Sequence, residues 1–178
     1  MAQSTLAHAP ALTNEQIDRS LDAIADSFAR QLRSPILHAP SEQKLAFEEI
    51  TFPALDGVPI EGWFIPADGS AKLIIANHPM GFSRAGIPTH LEPWRSIWSS
   101  SGNAFEVNFI PDYRILHDAG YNVLAYALRN FGLSGAANGG IASSGIFESR
   151  DVLGSLRYVR DRRDTRDMTV KNSPAIKS

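Results

Sequence analysis

The 178-residue chain contains no cysteine. Disulfide frameworks, thiolate metal sites and a cysteine nucleophile are thereby excluded. Charge of one sign is also scarce: the formal net charge is −2, so no overall field favours nucleic acid or an anionic membrane. The dense charge run RYVRDRRDTRD at 157–167 alternates in sign and reads as the solvated end of a helix, not a phosphate-binding patch. No apolar run approaches the ~20 residues of a membrane-spanning helix. The opening MAQSTLAHAPALTNEQ lacks the basic segment and apolar core of a signal peptide, which makes cytoplasmic location the expectation. The histidines His8, His38, His78, His90 and His117 show no metal-ligand spacing. Gly-rich GLSGAANGG lacks both the Lys-Ser/Thr ending and the G-x-G-x-x-G order of phosphate loops. Neither a metal nor another cofactor is expected. There is no internal repeat and no linker that would divide the chain.

Residues 1–12 read as a disordered lead. Thr13 then opens T-N-E-Q, a capping-box spacing, and Ile17, Leu21, Ile24, Ala25, Phe28 and Leu32 recur at helical intervals until Pro35. With one apolar stripe, this helix is expected to lean on the main sheet. The period then changes. Phe47, Ile50 and Phe52 precede Leu55-Asp56-Gly57, and Val58, Ile60, Trp63 and Ile65 follow, which predicts an antiparallel hairpin. Leu73 to Ala76 is continuously apolar and suits a strand covered on both faces. Residues 83–108 predict a long loop carrying a short helix. Trp94 and Trp98, four apart, either line a substrate or partner surface or are both buried by that helix. Pro111 starts a helix that Gly120 stops, and Tyr121 to Leu128 is the next strand, completing a crossover unit. A Gly/Ser/Ala-rich loop at 131–145 leads to a helix from about Gly145 to Arg160, with Ile146, Val152, Leu153, Leu156 and Val159 on its buried face. Asp167 to Val170 begins one more strand, and the chain then changes character. The whole reads as a three-layer α/β arrangement with a mixed sheet, antiparallel first and parallel later. Its parts are a helix with its connection at 13–45, one α/β domain at 46–170 and an irregular tail at 171–178.

Four phrases in this order resemble the N-terminal half of an α/β-hydrolase, nearest to the dienelactone-hydrolase and acylaminoacyl-peptidase-like serine hydrolases. FEEITFPALDGVPIEGWFIPA resembles the opening hairpin, and LIIANHPMG the third strand with its oxyanion loop. NVLAYALRNFGLSG resembles the fourth strand and the phrase after it, and ESRDVLGSLRYVRDR the helix before the nucleophile strand. The resemblance implies a serine hydrolase of ester, thioester or peptide bonds. It also implies an oxyanion hole built partly from backbone N–H groups of this loop, with Met80 the first donor and Gly81 beside it. His78 would then brace the loop instead of acting as the base, which in the family lies near the C-terminus. Arg129 and Asn130 end a parallel strand, where ligand sites of α/β sheets lie. They either position the oxyanion loop or substrate, or simply anchor their own loop.

The family's nucleophile sits on a G-x-S-x-G elbow. Here Val170 is followed by Lys171-Asn172-Ser173-Pro174, with no Gly beside the serine, and Pro174 lacks the N–H that a second oxyanion donor needs. Gly132-Leu133-Ser134-Gly135-Ala136 nearly matches the elbow, but AANGGIASSG is too poor a helix former to follow one. Ser134 is accordingly a weak nucleophile candidate, and an atypical hydrolase would pair it with His78, His90 or His117. Ser144 reads as a helix cap. The expectation is a truncated hydrolase half, inactive alone because elbow, acid and catalytic His are absent; a small-molecule or peptide substrate belongs to the full-length parent. The alternative is a non-catalytic binding or dimerising module that self-associates through an uncovered sheet edge. No nucleic-acid or membrane partner is expected.

Overall fold

The computed structural model describes residues 11–29, 31–102 and 104–173. In chain order the main elements are helix α1 (Asn14–Ala29), strands β1 (Glu48–Pro53), β2 (Pro59–Ile65), β3 (Lys72–Ala76) and β4 (Gly86–Ile87), and helix α2 (Trp94–Trp98). Strand β5 (Val107–Asn108), helix α3 (Ile110–Asp118), strand β6 (Asn122–Tyr126), helix α4 (Ser149–Asp161) and strand β7 (Thr169–Ser173) follow.

Apolar alternation drives the hairpin: β1 pairs antiparallel with β2, placing Phe52 opposite Ile60 and Ile50 opposite Gly62. At the Asp-Gly turn Gly57 adopts φ 86° and donates to the Ala54 carbonyl at 2.9 Å. The five-stranded sheet has the order β1-β2-β6-β3-β7. β2 runs antiparallel to β6, whereas β6, β3 and β7 are mutually parallel along the ladder. The α3 connection brings β6 beside β3, and the α4 connection carries the chain across β3 to β7. This is the predicted three-layer α/β arrangement with an antiparallel opening hairpin.

Period-2 alternation sorts the side chains onto two faces. Phe52, Ile60, Phe64, Leu73, Ile75, Leu124 and Tyr126 meet Val159 of α4 on one face. Trp63, Ile65, Val123 and Ala125 meet Ile110 and Tyr113 of α3 on the other, with Leu45 closing that side. Each fully buried aliphatic or aromatic side chain contributes about 1.5–3 kcal/mol, so this double-sided sheet is the stabilising centre.

Two boundaries and two packing expectations are corrected: α4 starts at Ser149 and not near Gly145, and Ile146 and Leu153 of its expected buried face are exposed. α1 forms with the expected capping box, Thr13 N donating to Gln16 Oε1 at 2.8 Å and Gln16 N to Thr13 Oγ1 at 3.3 Å. It does not lean on the sheet: Ile17, Leu21 and Ile24 are 41–58% exposed. The buried strands β2, β6 and β3 already pack on α4 from one side and on α3 and Leu45 from the other, and among the described residues α1 is tied near its end, where Ala142 N donates to the Phe28 carbonyl. The loop at 83–108 holds not only a short helix but also the β4–β5 pair, Gly86 opposite Asn108 and Ile87 opposite Val107. A Cβ at Gly86 would lie 1.9 Å from the Val107 carbonyl oxygen, so this close pairing requires glycine. Strand β7 continues through Lys171, Asn172 and Ser173, each paired with β3, so these three residues belong to the sheet and not to an irregular tail. Residues 174–178 of that tail, and residues 1–10 of the expected lead, lie outside the described residues. No helix among the described residues is long and apolar enough to cross a membrane.

Candidate functional site

The C-terminal end of β3 runs into Asn77-His78-Pro79-Met80-Gly81. Phe82 N donates to the Pro79 carbonyl at 3.2 Å, and Gly81 sits at φ 87° in the third position of that turn. This is the pattern of a type II turn, whose third residue must reach positive φ. Nothing lies within 4 Å of a Cβ placed on Gly81, so glycine is needed there for its backbone angle and not for space. Among the described residues, none accepts a hydrogen bond from the Met80 or Gly81 N–H. Two adjacent main-chain donors are thus unengaged at the end of a parallel strand, where α/β sheets present their ligand sites.

His78 holds this turn. It is buried, its Nδ1 donates to the Pro79 carbonyl at 2.8 Å and its Nε2 accepts from Leu128 N at 2.9 Å. The ring also meets Phe131 edge-on at 5.4 Å between centroids. Those bonds require the neutral Nδ1–H tautomer, and burial pushes the imidazole pKa down to about 4. The ring therefore clamps the β3 turn to the end of β6. From the N-terminal side, buried Ser34 donates its hydroxyl to the Gly81 carbonyl at 2.7 Å.

Arg129 is fully buried, and all five of its guanidinium donor positions are used. Nη1 and Nη2 donate to Asp56 at 2.9 and 2.7 Å, Nε and Nη2 to Asp151 at 2.9 and 2.8 Å, and Nη1 to Asn138 at 2.9 Å. The guanidinium holds the Asp56 carboxyl well below its usual range. Asn130, at φ 66°, accepts from Ala137 N at 2.8 Å and donates to the Ile141 carbonyl at 3.3 Å. Both residues act on the Gly-rich loop; Arg129 also ties it to the hairpin turn and to α4.

Ser134 is buried and committed on two sides. Its hydroxyl donates to the Ala127 carbonyl at 2.5 Å and accepts from Glu61 N at 3.0 Å. It is a staple between β6 and β2, and the hydrogen bonds of His78 go elsewhere. His117 Nε2 lies 3.1 Å from the Pro66 carbonyl, and His90 lies beside Glu106, so neither is joined to Ser134. Ser144 does not cap α4, whose N-cap is Glu148 with no side-chain cap bond; the turn before the helix is held by Ser143, whose hydroxyl accepts from Phe147 N at 2.7 Å and donates to Glu148 at 2.5 Å. Burial alone would raise the Glu148 pKa, but bonds from Ser143 and Gly145 outweigh it and hold the carboxylate below its ordinary value.

Two cavities adjoin the turn. One, of about 200 Å³, is bounded by Met80, Leu128, Phe131 and Ala142, with Glu148 at its wall. The other, of about 280 Å³, lies between the turn, the end of the α1 segment and α2. Trp94 and Trp98 line it and are half-buried, so the short helix presents both to a cavity and encloses neither. Among the described residues, no group of three or more His, Cys, Asp or Glu side chains is arranged to hold a metal ion.

Asp56, Asp151, Asn138 and Ser34 were not legible as parts of this site. The Asp-Gly signal marks the hairpin turn, and nothing in its pattern tells that the carboxylate reaches a buried arginine.

Comparison with known proteins identifies the fold. No known protein-family profile and no curated protein matches the sequence. The structure is similar to that of the Pyrococcus furiosus esterase Pf2001, with TM-score 0.59 and 21% identity over 80% of this chain and 47% of that one. A second crystal form of the same esterase gives 0.55, with 44% of its chain covered. A weaker likeness, TM-score 0.45 at 15% identity, is to the alpha/beta hydrolase GrgF from Penicillium sp. sh18, covering 66% of this chain and 33% of that one. The chain shares the fold of the matched part of that esterase, an α/β-hydrolase-like arrangement, and spans about half the esterase's length.

Proposed function

We propose that this chain carries the oxyanion-loop half of a serine hydrolase acting on ester, thioester or peptide bonds, and that residues 1–178 do not turn over such a substrate by themselves. The observation that carries this reading is the pair of unengaged N–H groups at Met80 and Gly81, held at the end of β3 by His78. Donors of this kind stabilise the oxyanion of an acyl-transfer intermediate, and removing one costs about 2.7–4 kcal/mol of transition-state stabilisation. His78, Arg129 and Asn130 position the loop in this reading and do not touch the reacting atoms. Support for inactivity of the chain alone comes from Ser134, whose hydroxyl is fully engaged by backbone.

The test is labelling with a fluorophosphonate probe, alongside hydrolysis of p-nitrophenyl esters, on folded 178-residue protein. Neither labelling nor turnover is expected. A product extended by a segment that carries G-x-S-x-G and a later His is expected to label. A probe adduct mapped to any serine of residues 1–178 would overturn the reading.

A second reading is favoured by the position of β7. Among the described residues nothing pairs with its outer side, and an open strand edge is a template for another chain. Self-association through that edge is the corresponding non-catalytic role.

A further inference from the structure

The two cavities beside the turn share one side chain. Met80, 45% exposed, lines both the 200 Å³ and the 280 Å³ space. Small-ligand sites usually occupy about 300–1,000 Å³, so each cavity alone falls below that range and the two together fall within it. Their chemistry is alike. The larger is walled mainly by Leu32, Ile87, Trp94, Ile97 and Trp98, and no charged side chain lines it. The smaller has Glu148 as its one ionisable group, and that carboxylate is occupied by Ser143 and by Gly145 N at 2.8 Å. A ligand carrying a charge would enter either space without a counter-ion, which is strongly unfavourable. Trp94 adds a second indication: its indole Nε1 is shielded from solvent and has no acceptor among the described residues. Shielded donors are normally paired, and an ester or ether oxygen is an acceptor that carries no charge.

We propose that the two cavities form one binding site partitioned by Met80, and that it takes an uncharged carboxylic ester or thioester with an apolar group on each side of its carbonyl. The placement of that carbonyl between the cavities rests on the assignment of Met80 and Gly81 as oxyanion donors. Met80 is then the specificity-determining residue, since its flexible thioether sets how much of the ligand each side admits.

Binding needs no nucleophile, so it is measured on the 178-residue chain itself. Trp94 and Trp98 report from the cavity wall, while Trp63 lies in the core. Butyl hexanoate is expected to shift tryptophan emission saturably, and hexanoate anion to bind at least tenfold more weakly. Ile97→Asp, at an exposed position on α2, is expected to weaken ester binding at least tenfold with the near-ultraviolet dichroism unchanged. Met80→Ala is expected to raise the affinity for a branched ester, butyl 2-ethylhexanoate, relative to the linear one by at least threefold. The proposal is overturned if the folded chain gives no saturable shift, if hexanoate binds as tightly as the ester, or if Met80→Ala leaves the linear-to-branched ratio unchanged. A dialkyl ether of equal length separates the two assignments. If it binds as tightly as the ester, the oxyanion role of Met80 and Gly81 fails while the partitioned cavities stand.

Discussion

His78 shows what a single side chain does to this site. Both ring nitrogens are bonded to main chain, one as donor and one as acceptor, so protonation of Nε2 would set two N–H groups against each other. The folded-state pKa of about 4 lies below the ordinary imidazole value of about 6.5. The unfolded chain thus binds the extra proton in that interval. The ring's contribution to stability is complete above the unfolded value and is lost as pH falls from about 6.5 towards 4, at roughly 1.4 kcal/mol per pH unit. In urea titrations His78→Asn is expected to be less stable than the parent at pH 8 by about 1–3 kcal/mol. Between pH 6.5 and 4 its stability should fall less steeply than the parent's. Parallel pH profiles for the two proteins would remove His78 from this role. The histidine's presence at a strand end was readable from the sequence; its two partners were not, because Leu128 is distant in the chain and becomes a neighbour only through the β3–β6 pairing. The same reason hid the fate of Ser134, whose partners Glu61 and Ala127 are set by the register of β2 and β6.

At the scale of elements, local signals were the dependable ones. The capping box of α1, the Asp-Gly hairpin and the proline start of α3 are all dictated by neighbours within a turn of chain, and all are present. What the pattern of α1 did not convey is its environment. An apolar stripe states that a helix has a face to bury, not that this chain has a free surface to bury it on. Each of Ile17, Leu21 and Ile24 would contribute about 1.5–3 kcal/mol if packed on the sheet. Since all three are exposed, the triple variant Ile17→Ser, Leu21→Ser, Ile24→Ser is expected to lower the unfolding free energy by no more than about 1 kcal/mol in total. A loss of several kcal/mol in chemical denaturation would show that α1 is in fact docked. The β4–β5 pair went unforeseen for the opposite reason: two-residue strands are too short to display a period, and only the geometry at Gly86 shows how closely the two segments approach.

For the molecule as a whole, order of elements and layer type followed from the alternation of strand and helix patterns, whereas the polar tie between layers did not. The sheet leaves β7 on one edge. Thr169 N donates to the Ala71 carbonyl on the β3 side, so by alternation the main-chain groups of Asn172 face outward. Proline at 172 would remove an outward donor without breaking the ladder to β3. If the edge mediates self-association, the parent chain is expected to show concentration-dependent sedimentation that Asn172→Pro shifts towards the monomer; equal sedimentation of the two would sink the edge as an interface. The tie between layers has its own consequence. Arg129 joins the hairpin turn to the end of β6 across 73 positions, and α4 to the same point across 22. Until all three segments have arrived, a guanidinium and two carboxylates must stay hydrated, and a partly assembled interior cannot hold them. Closure of the hairpin turn, the glycine-rich loop and α4 onto Arg129 is therefore expected to be cooperative, each segment's bonds to the guanidinium being complete only when the others are in place.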